Sequence, residues 1–393
     1  MKTTFIVIAF FAFLAPTLIA EPIPKLLKTI SVKRPAFLSL QEGDLYISSF
    51  RVFGKDGLAV IKEIGDKLSG QQEIKPLWLN RTIVWPNQCV RAPNGLFSNS
   101  LLVAGGFLVP HKNTGAITVL SLSAPSVTCE ISKPKKGWFY HETQCVDMDG
   151  DGDLDVLTAR AKVPMIGEKK GELIWFENGN QWSEHYLTAG PDVHFVFLDL
   201  NDDGNNELIS TQFFSKRLML YSFVGGKARK RLIDGRLGSA FDLEVVDLNG
   251  DKKLDLLATN HEGDDSAAVF AYEIPQDIWQ GRWSRHTILA GIKTLQPGLN
   301  QASPGQAIHF QINEKSPLKK PAILVSGDGS QKAHLLLPNS SSHLDWTYSE
   351  SVITHTKCTV GQCAVGDVNG DGWAEVFVPA FDNDSIEVFS FAP

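Results

Sequence analysis

The chain has 393 residues, 43% hydrophobic and 21% charged, with a formal net charge of −7. These are the proportions of a folded globular protein and exclude a disordered chain, a collagen-like fibre and a multi-span membrane protein. No basic run extends beyond Lys227-Ala-Arg-Lys-Arg231, so the electrostatic footprint of a nucleic-acid partner is missing.

From the start of the chain, Lys2, the apolar run Phe5 to Leu14 and the small residue Ala20 before Glu21 make residues 1–20 an expected secretory signal. Residues 21–393 then form a single mature domain, expected to be secreted and extracellular. No later stretch reaches 18 apolar residues, so no stable membrane insertion is expected. The sequons at Asn80, Asn339 and Asn383 are candidate glycosylation sites of that compartment. Of five cysteines, Cys358 and Cys363 are spaced to close a local hairpin disulfide, while the pairing of Cys89, Cys129 and Cys145 stays open.

An internal repeat dominates the rest. Four acidic segments align, beginning at Asp147, Asp199, Asp247 and Asp367. Degenerate copies near Ser39, Arg91 and Gln311 extend the series to seven units with a period near 53. Trp182 and Trp346 each lie 35 residues after their anchors and Trp283 lies 36 after its own, an independent check of the register. Each unit also carries a β-rich third segment, such as Leu173-Ile-Trp-Phe176 or Ile386-Glu-Val-Phe389. Each unit therefore reads as four short strands, one blade of an all-β, seven-bladed β-propeller. The last unit is one strand short, and Leu26 to Val32 precedes the first as a spare strand. That segment is expected to complete the last blade and close the ring, removing the free edges of an open array.

The acidic segments offer hard oxygen donors at alternate positions. Positions 1, 3, 5 and 9 are Asp147, Asp149, Asp151 and Asp155 in the first loop and Asp199, Asn201, Asp203 and Glu207 in the second. They are Asp247, Asn249, Asp251 and Asp255 in the third, and Asp367, Asn369, Asp371 and Glu375 in the fourth. A backbone carbonyl at position 7, from Asp153, Asn205, Lys253 or Trp373, completes a set suited to Ca²⁺. Gly152, Gly204 and Gly372 stand at position 6, where positive φ is needed; Lys252 takes that place in the third loop and implies strain. An EF-hand is excluded, because position 12 is Thr158, Ser210, Ala258 or Val378 rather than Glu. About four structural Ca²⁺ ions would bring the mature chain close to neutrality.

These Asp-x-Asp/Asn-x-Asp-Gly-x-x-Asp/Glu loops resemble the FG-GAP/VCBS repeat family, which includes the calcium-loop blades of the integrin α-subunit propeller. The likeness covers the mature chain, with four specific and three degenerate loops. It implies that the loops join the first and second strands of a blade and that their residues ligate structural Ca²⁺.

For chemistry, the start of each innermost strand should open towards the face opposite the loops. His141, His194, Asp242, Gln306 and Gln362, with Gln144 nearby, fall there and are candidate residues of a central channel. No Gly-x-Ser-x-Gly, His-Glu-x-x-His or dinucleotide fingerprint is present, and His261-Glu262 reads as a turn. The expected role is a non-catalytic binding or adhesion module for an extracellular protein or glycan. A second expectation comes from the Trp-x-x-His strands, which are similar to those of secreted aldos-2-ulose dehydratase propellers. It is a small lyase or hydrolase acting on a sugar-like substrate in the channel.

Overall fold

A computed structural model describes residues 23–393 apart from 110, 126–127, 296–301 and 316–318. The expected signal segment 1–20 lies outside the described residues. Short alternating apolar segments, punctuated by turns, form seven four-stranded antiparallel sheets arranged as the blades of a propeller. Blade 1 runs from strand Pro35–Gln41 to Leu77–Asn80, blade 2 from Pro86–Arg91 to Thr128–Glu130 and blade 3 from Trp138–Val146 to Ser183–Ala189. Blade 4 runs from Phe195–Leu198 to Arg229–Asp234, blade 5 from Ala240–Val246 to Ser284–Ala290 and blade 6 from Ala307–Phe310 to Tyr348–His355. Blade 7 holds Ala364–Gly366, Glu375–Ala380 and Ser385–Ser390, and its outermost strand is the N-terminal Lys25–Ser31. Lys25 pairs with Ser390 and Ser31 with Ser385, so the ring closes as the spare strand predicted.

The seams between blades hold the core. Ile30, Phe377 and Val388 of blade 7 meet Leu38, Ile47 and Ile61 of blade 1. Ile209 and Leu220 of blade 4 meet Leu243, Leu256 and Phe270 of blade 5 in the same way. A strand enclosed on both faces is largely apolar, as in Ser100–Gly105 and Glu375–Ala380, where every residue is buried and only Ser100 and Glu375 are polar.

The innermost strands approach one another without a shared ladder, and side chains take over the task of pairing backbone groups. Glu142 Oε2 accepts from the backbone N of Phe195, and Gln144 both accepts from and donates to the backbone of Phe197. Asp242 accepts from the N of Ala307, Glu244 from the N of His309 and Gln88 from the N of Thr143. Each joins one blade to the next. Polar side chains in this buried belt thus satisfy donors that would otherwise be left unpaired.

Two features depart from plain repetition. Helix Ile64–Ser69 fills the connection between the third and fourth strands of blade 1. A two-stranded ribbon, Thr114–Gly115 with Lys135–Lys136, joins blade 2 to the approach of blade 3. The expected Cys358–Cys363 disulfide is not formed: both thiols are free and buried. The segment between them does not turn back as a hairpin. Val360 bridges to Asp328 and Ala380, and Gln362 to Phe37. The two sulfurs face the carbonyls of Thr359 and Gly361 instead of each other. All five cysteines are free, so Cys89, Cys129 and Cys145 form no bond either.

Candidate functional site: a central cavity opposite the acidic loops

Each innermost strand runs from one face of the ring to the acidic loop on the other, and the second strand returns. All four acidic loops therefore share a face. In the first, one oxygen from each of Asp147, Asp149 and Asp151 lies within 4.8 Å of the others. The loop is preformed by its own backbone: Gly150 N and Gly152 N donate to Asp147 at 2.7 and 3.0 Å. The same contact from position 6 recurs at Asp199, Asp247 and Asp367, each accepting at 2.8 Å from Gly204, Lys252 and Gly372. Lys252 is held at φ 71°, as its counterparts Gly152, Gly204 and Gly372 in the other loops are at 95°, 86° and 88°. The position-9 carboxylates Asp155, Glu207, Asp255 and Glu375 are buried beneath the loops, and burial pushes the pKa of each upward. In the first loop three crowded carboxylates over a fourth buried one form a donor set that fits a hard divalent cation, and Asn201, Asn249 and Asn369 replace one carboxylate in each of the others. Asp153, Asn205, Lys253 and Trp373 stand at the expected seventh positions of the four loops.

The opposite face opens into a cavity of about 490 Å³ on the propeller axis. One ring of its lining comes from the innermost strands or their approaches: Ala36, Asn87, His141, His194, Phe241, Gln306 and Gln362, one per blade. Four of the five expected channel residues thus meet there. The fifth, Asp242, does not line the cavity; its side chain is spent on the Ala307 amide behind it. Gln144 is likewise part of the belt between blades 3 and 4.

A second ring was not anticipated from the sequence. The chain leaving the second strand of five blades (1, 2, 5, 6 and 7) supplies Phe50, Phe107, His261, Asp328 and Phe381 to the wall. Phe50, Trp85 and Phe107 stack in series, with centroids 4.2 and 4.6 Å apart. The result is lopsided: blades 7, 1 and 2 give a mostly aromatic wall, and blades 3 to 6 give histidine, glutamine and aspartate around the single ring of Phe241.

The polar wall is electrostatically ordered. His141 and His194 are both at least nine-tenths buried, with ring centroids 4.5 Å apart in an edge contact. His194 Nδ1 is 3.0 Å from Glu142 Oε2. Burial disfavours the His194 imidazolium, but the hydrogen bond and charge of Glu142, with Asp242 and Asp192 behind, outweigh it and raise its pKa. Burial, together with the neighbouring His194, pushes His141 well below the usual range. His261 Nδ1 lies 2.7 Å from the carbonyl of Pro304, and its Nε2 lies 3.8 Å from Asp328, whose carboxyl burial pushes up to about 6.

The comparisons agree with this geometry. Residues 147–210 match the profile of the FG-GAP-like repeat. This part of the chain is an FG-GAP-like repeat. It comprises the first acidic loop, the strands that follow it and the second loop, which places the family's repeat on the seam between blades 3 and 4. No curated protein matches the chain in sequence. Among solved structures, the Dos1 propeller aligns with a TM-score of 0.53 at 10% identity, covering 94% of this chain and 96% of that one. The WD40 β-propeller domain of Doa1 aligns at 0.50 and 12% identity, covering 93% and 96%. At such identities the likeness is one of fold.

The remaining expected sites fall as follows. Asn80 is buried, with Oδ1 accepting from Thr82 and Ile83, which leaves little room for a glycan. Asn339 and Asn383 are exposed. Among the described residues no helix is long and apolar enough to cross a membrane.

Proposed function

We propose that the protein is a secreted, calcium-stapled propeller acting as a non-catalytic binding module. An extracellular glycan or protein docks on the cavity face and inserts one of its groups into the cavity. One observation carries this reading. Four buried polar atoms without a partner in the protein, Asn87 Oδ1, His141 Nδ1, His194 Nε2 and Gln306 Oε1, all belong to residues lining the cavity. Buried polar groups are rarely left unpaired, and their occurrence on four residues that line one cavity is a feature of a ligand-binding surface. The supporting test is a thermal-shift screen of oligosaccharides and peptides. Binding that raises the melting temperature and is lost in Asn87→Leu and His194→Ala supports the module. A panel that binds with equal strength to both folded variants sinks it.

In this reading the four FG-GAP-like loops hold Ca²⁺ as staples and take no part in the cavity. Asp147, Asp199, Asp247 and Asp367 with their partners at positions 3, 5 and 9 supply the ligands. A chelator should lower the melting temperature, and metal analysis should return about four calcium ions per chain, because binding to the native state alone stabilises by mass action. A calcium-free protein with an unmoved transition contradicts the assignment.

A second reading is favoured by a specific feature. His141 and His194 are adjacent and their proton affinities are driven in opposite directions, the arrangement that separates a general base from a general acid. A lyase or hydrolase acting on a sugar-like substrate would use them so. Turnover of a sugar panel, abolished in folded His141→Ala and His194→Ala variants, would establish the enzyme in place of the module.

A further inference from the structure

The charges around the cavity are paired with one exception. Arg34 is matched by Asp382 and Asp384, His261 by Asp328, and His194 by Glu142. Arg51 lines the same cavity, and among the described residues no carboxylate reaches its guanidinium. Its position is nonetheless built. Asp56, almost fully buried, accepts from the backbone N of Arg51 and of Trp85 and pairs with Lys112 at 2.8 Å, pinning the loop. The Arg51 side chain then lies against Gly54, where an added Cβ would fall 2.2 Å from Nε. A protein with a net charge of −7 thus presents one uncompensated positive group at the mouth of its cavity.

At the inner end the need is the reverse. Both hydrogens of the Asn87 amide are used, towards the carbonyls of Gly106 and Tyr140, each at 2.8 Å. This fixes the amide orientation and leaves Oδ1 as a pure acceptor. Gln306 Oε1 is a second acceptor without a donor. Between the two ends, Phe37, Phe50, Trp85, Phe107, Phe241 and Phe381 supply the walls. A ligand matching this order has a hydroxyl to donate at one end, a planar apolar body and a negative charge at the other.

We propose that the central cavity binds a hydroxylated aromatic carboxylate, with its hydroxyl donating to Asn87 Oδ1 and its carboxylate on Arg51. The inference rests on the cavity being a ligand site and adds the chemical class that enters it. A charge-assisted contact from a planar guanidinium to a carboxylate is the stronger kind of hydrogen bond, and a site with buried acceptors rejects analogues that lack the donor.

Isothermal titration at low salt tests it with four probes: 4-hydroxybenzoate, 4-hydroxybenzamide, benzoate and glucose. The expected result is saturable binding of 4-hydroxybenzoate, at least tenfold tighter than the amide or benzoate. In Arg51→Gln the preference for acid over amide should fall below twofold, with an unchanged melting transition. Asn87→Leu should erase the preference for 4-hydroxybenzoate over benzoate; should that variant fail to fold, Asn87→Ala reads the same contact. Equal affinity for acid and amide in the wild type overturns the carboxylate assignment. Glucose binding that exceeds all three aromatic probes and is lost in His194→Ala overturns the aromatic acid while keeping the cavity as a binding site. No heat from any probe overturns this proposal, and silence in the thermal-shift screen as well would take the binding module with it.

Discussion

Asp242 illustrates how a single carboxylate can be bound into the frame at a cost. It is buried, its Oδ2 accepts from Ala307 N at 3.0 Å, and burial pushes its pKa up to about 7 despite the neighbouring His194. A carboxyl whose pKa rises on folding holds its proton more tightly in the native state. Its contribution to stability is therefore full below about pH 4, the unfolded value, and is lost as the pH climbs through about 7. Asp242→Asn keeps an acceptor for Ala307 and removes the charge. It should unfold at higher denaturant than the wild type at pH 8, by on the order of a few kcal/mol, and the gap should narrow at pH 5. A gap that widens on acidification would show that Asp242 is stabilised by His194 more than it is penalised by burial. The sequence placed Asp242 with the channel residues because spacing alone locates a backbone position. Whether the side chain faces the axis or the adjoining blade depends on strand rotation, which spacing does not contain.

The repeated loop and the strand end are the two elements that carry the proposed calcium and cavity sites. The acidic loops were legible because their chemistry is compact: alternate oxygens and a position needing positive φ fall within nine residues. Lys252 is the exception within that pattern, held at φ 71° while the other three loops use glycine. A left-handed conformation costs a non-glycine residue roughly 1–2 kcal/mol, partly offset by the greater freedom glycine gains when unfolded. Lys252→Gly should therefore stabilise the chain by up to about 1 kcal/mol. Equilibrium unfolding with and without calcium would check it; a loss of stability would mean that the lysine side chain makes a contact worth more than the strain. The second ring of the cavity was also present in the sequence, as Phe50, Phe107, His261, Asp328 and Phe381 just past five of the second strands. It went unread because these residues belong to connections of unequal length, so they do not recur at the period of the loops. The cysteine pair misled for a related reason. Separation by four residues suggests a hairpin, yet Val360 and Gln362 are committed to bridges with neighbouring strands that no local pattern reveals.

At the scale of the molecule, closure is the condition for everything else. Ile30 is 1% exposed and packs between blades 7 and 1, on the strand that completes the ring. Ile30→Ala should cost about 2–5 kcal/mol in urea unfolding, more than the same truncation at the exposed Leu26 of that strand. Comparable losses at both positions would show that the strand contributes through its backbone ladder alone. The ring itself was readable from the count of seven anchors and the missing final strand. The belt of Glu142, Gln144, Asp242, Glu244 and Gln88 that joins neighbouring blades was not, since each residue looks like an ordinary polar position until its partner some fifty or sixty residues away is known.

The closing ladder also has a mechanical consequence. Lys25 lies opposite Ser390 while Ser31 lies opposite Ser385, so both chain ends leave the ladder at the same edge. Tension between the ends would load the hydrogen bonds one pair at a time, peeling the strand like a zipper instead of shearing all pairs together. A tether attached at both ends would open this seam at low force, exposing the packing of Ile30 between blades 7 and 1, whereas a tether at one end alone would place no load on it.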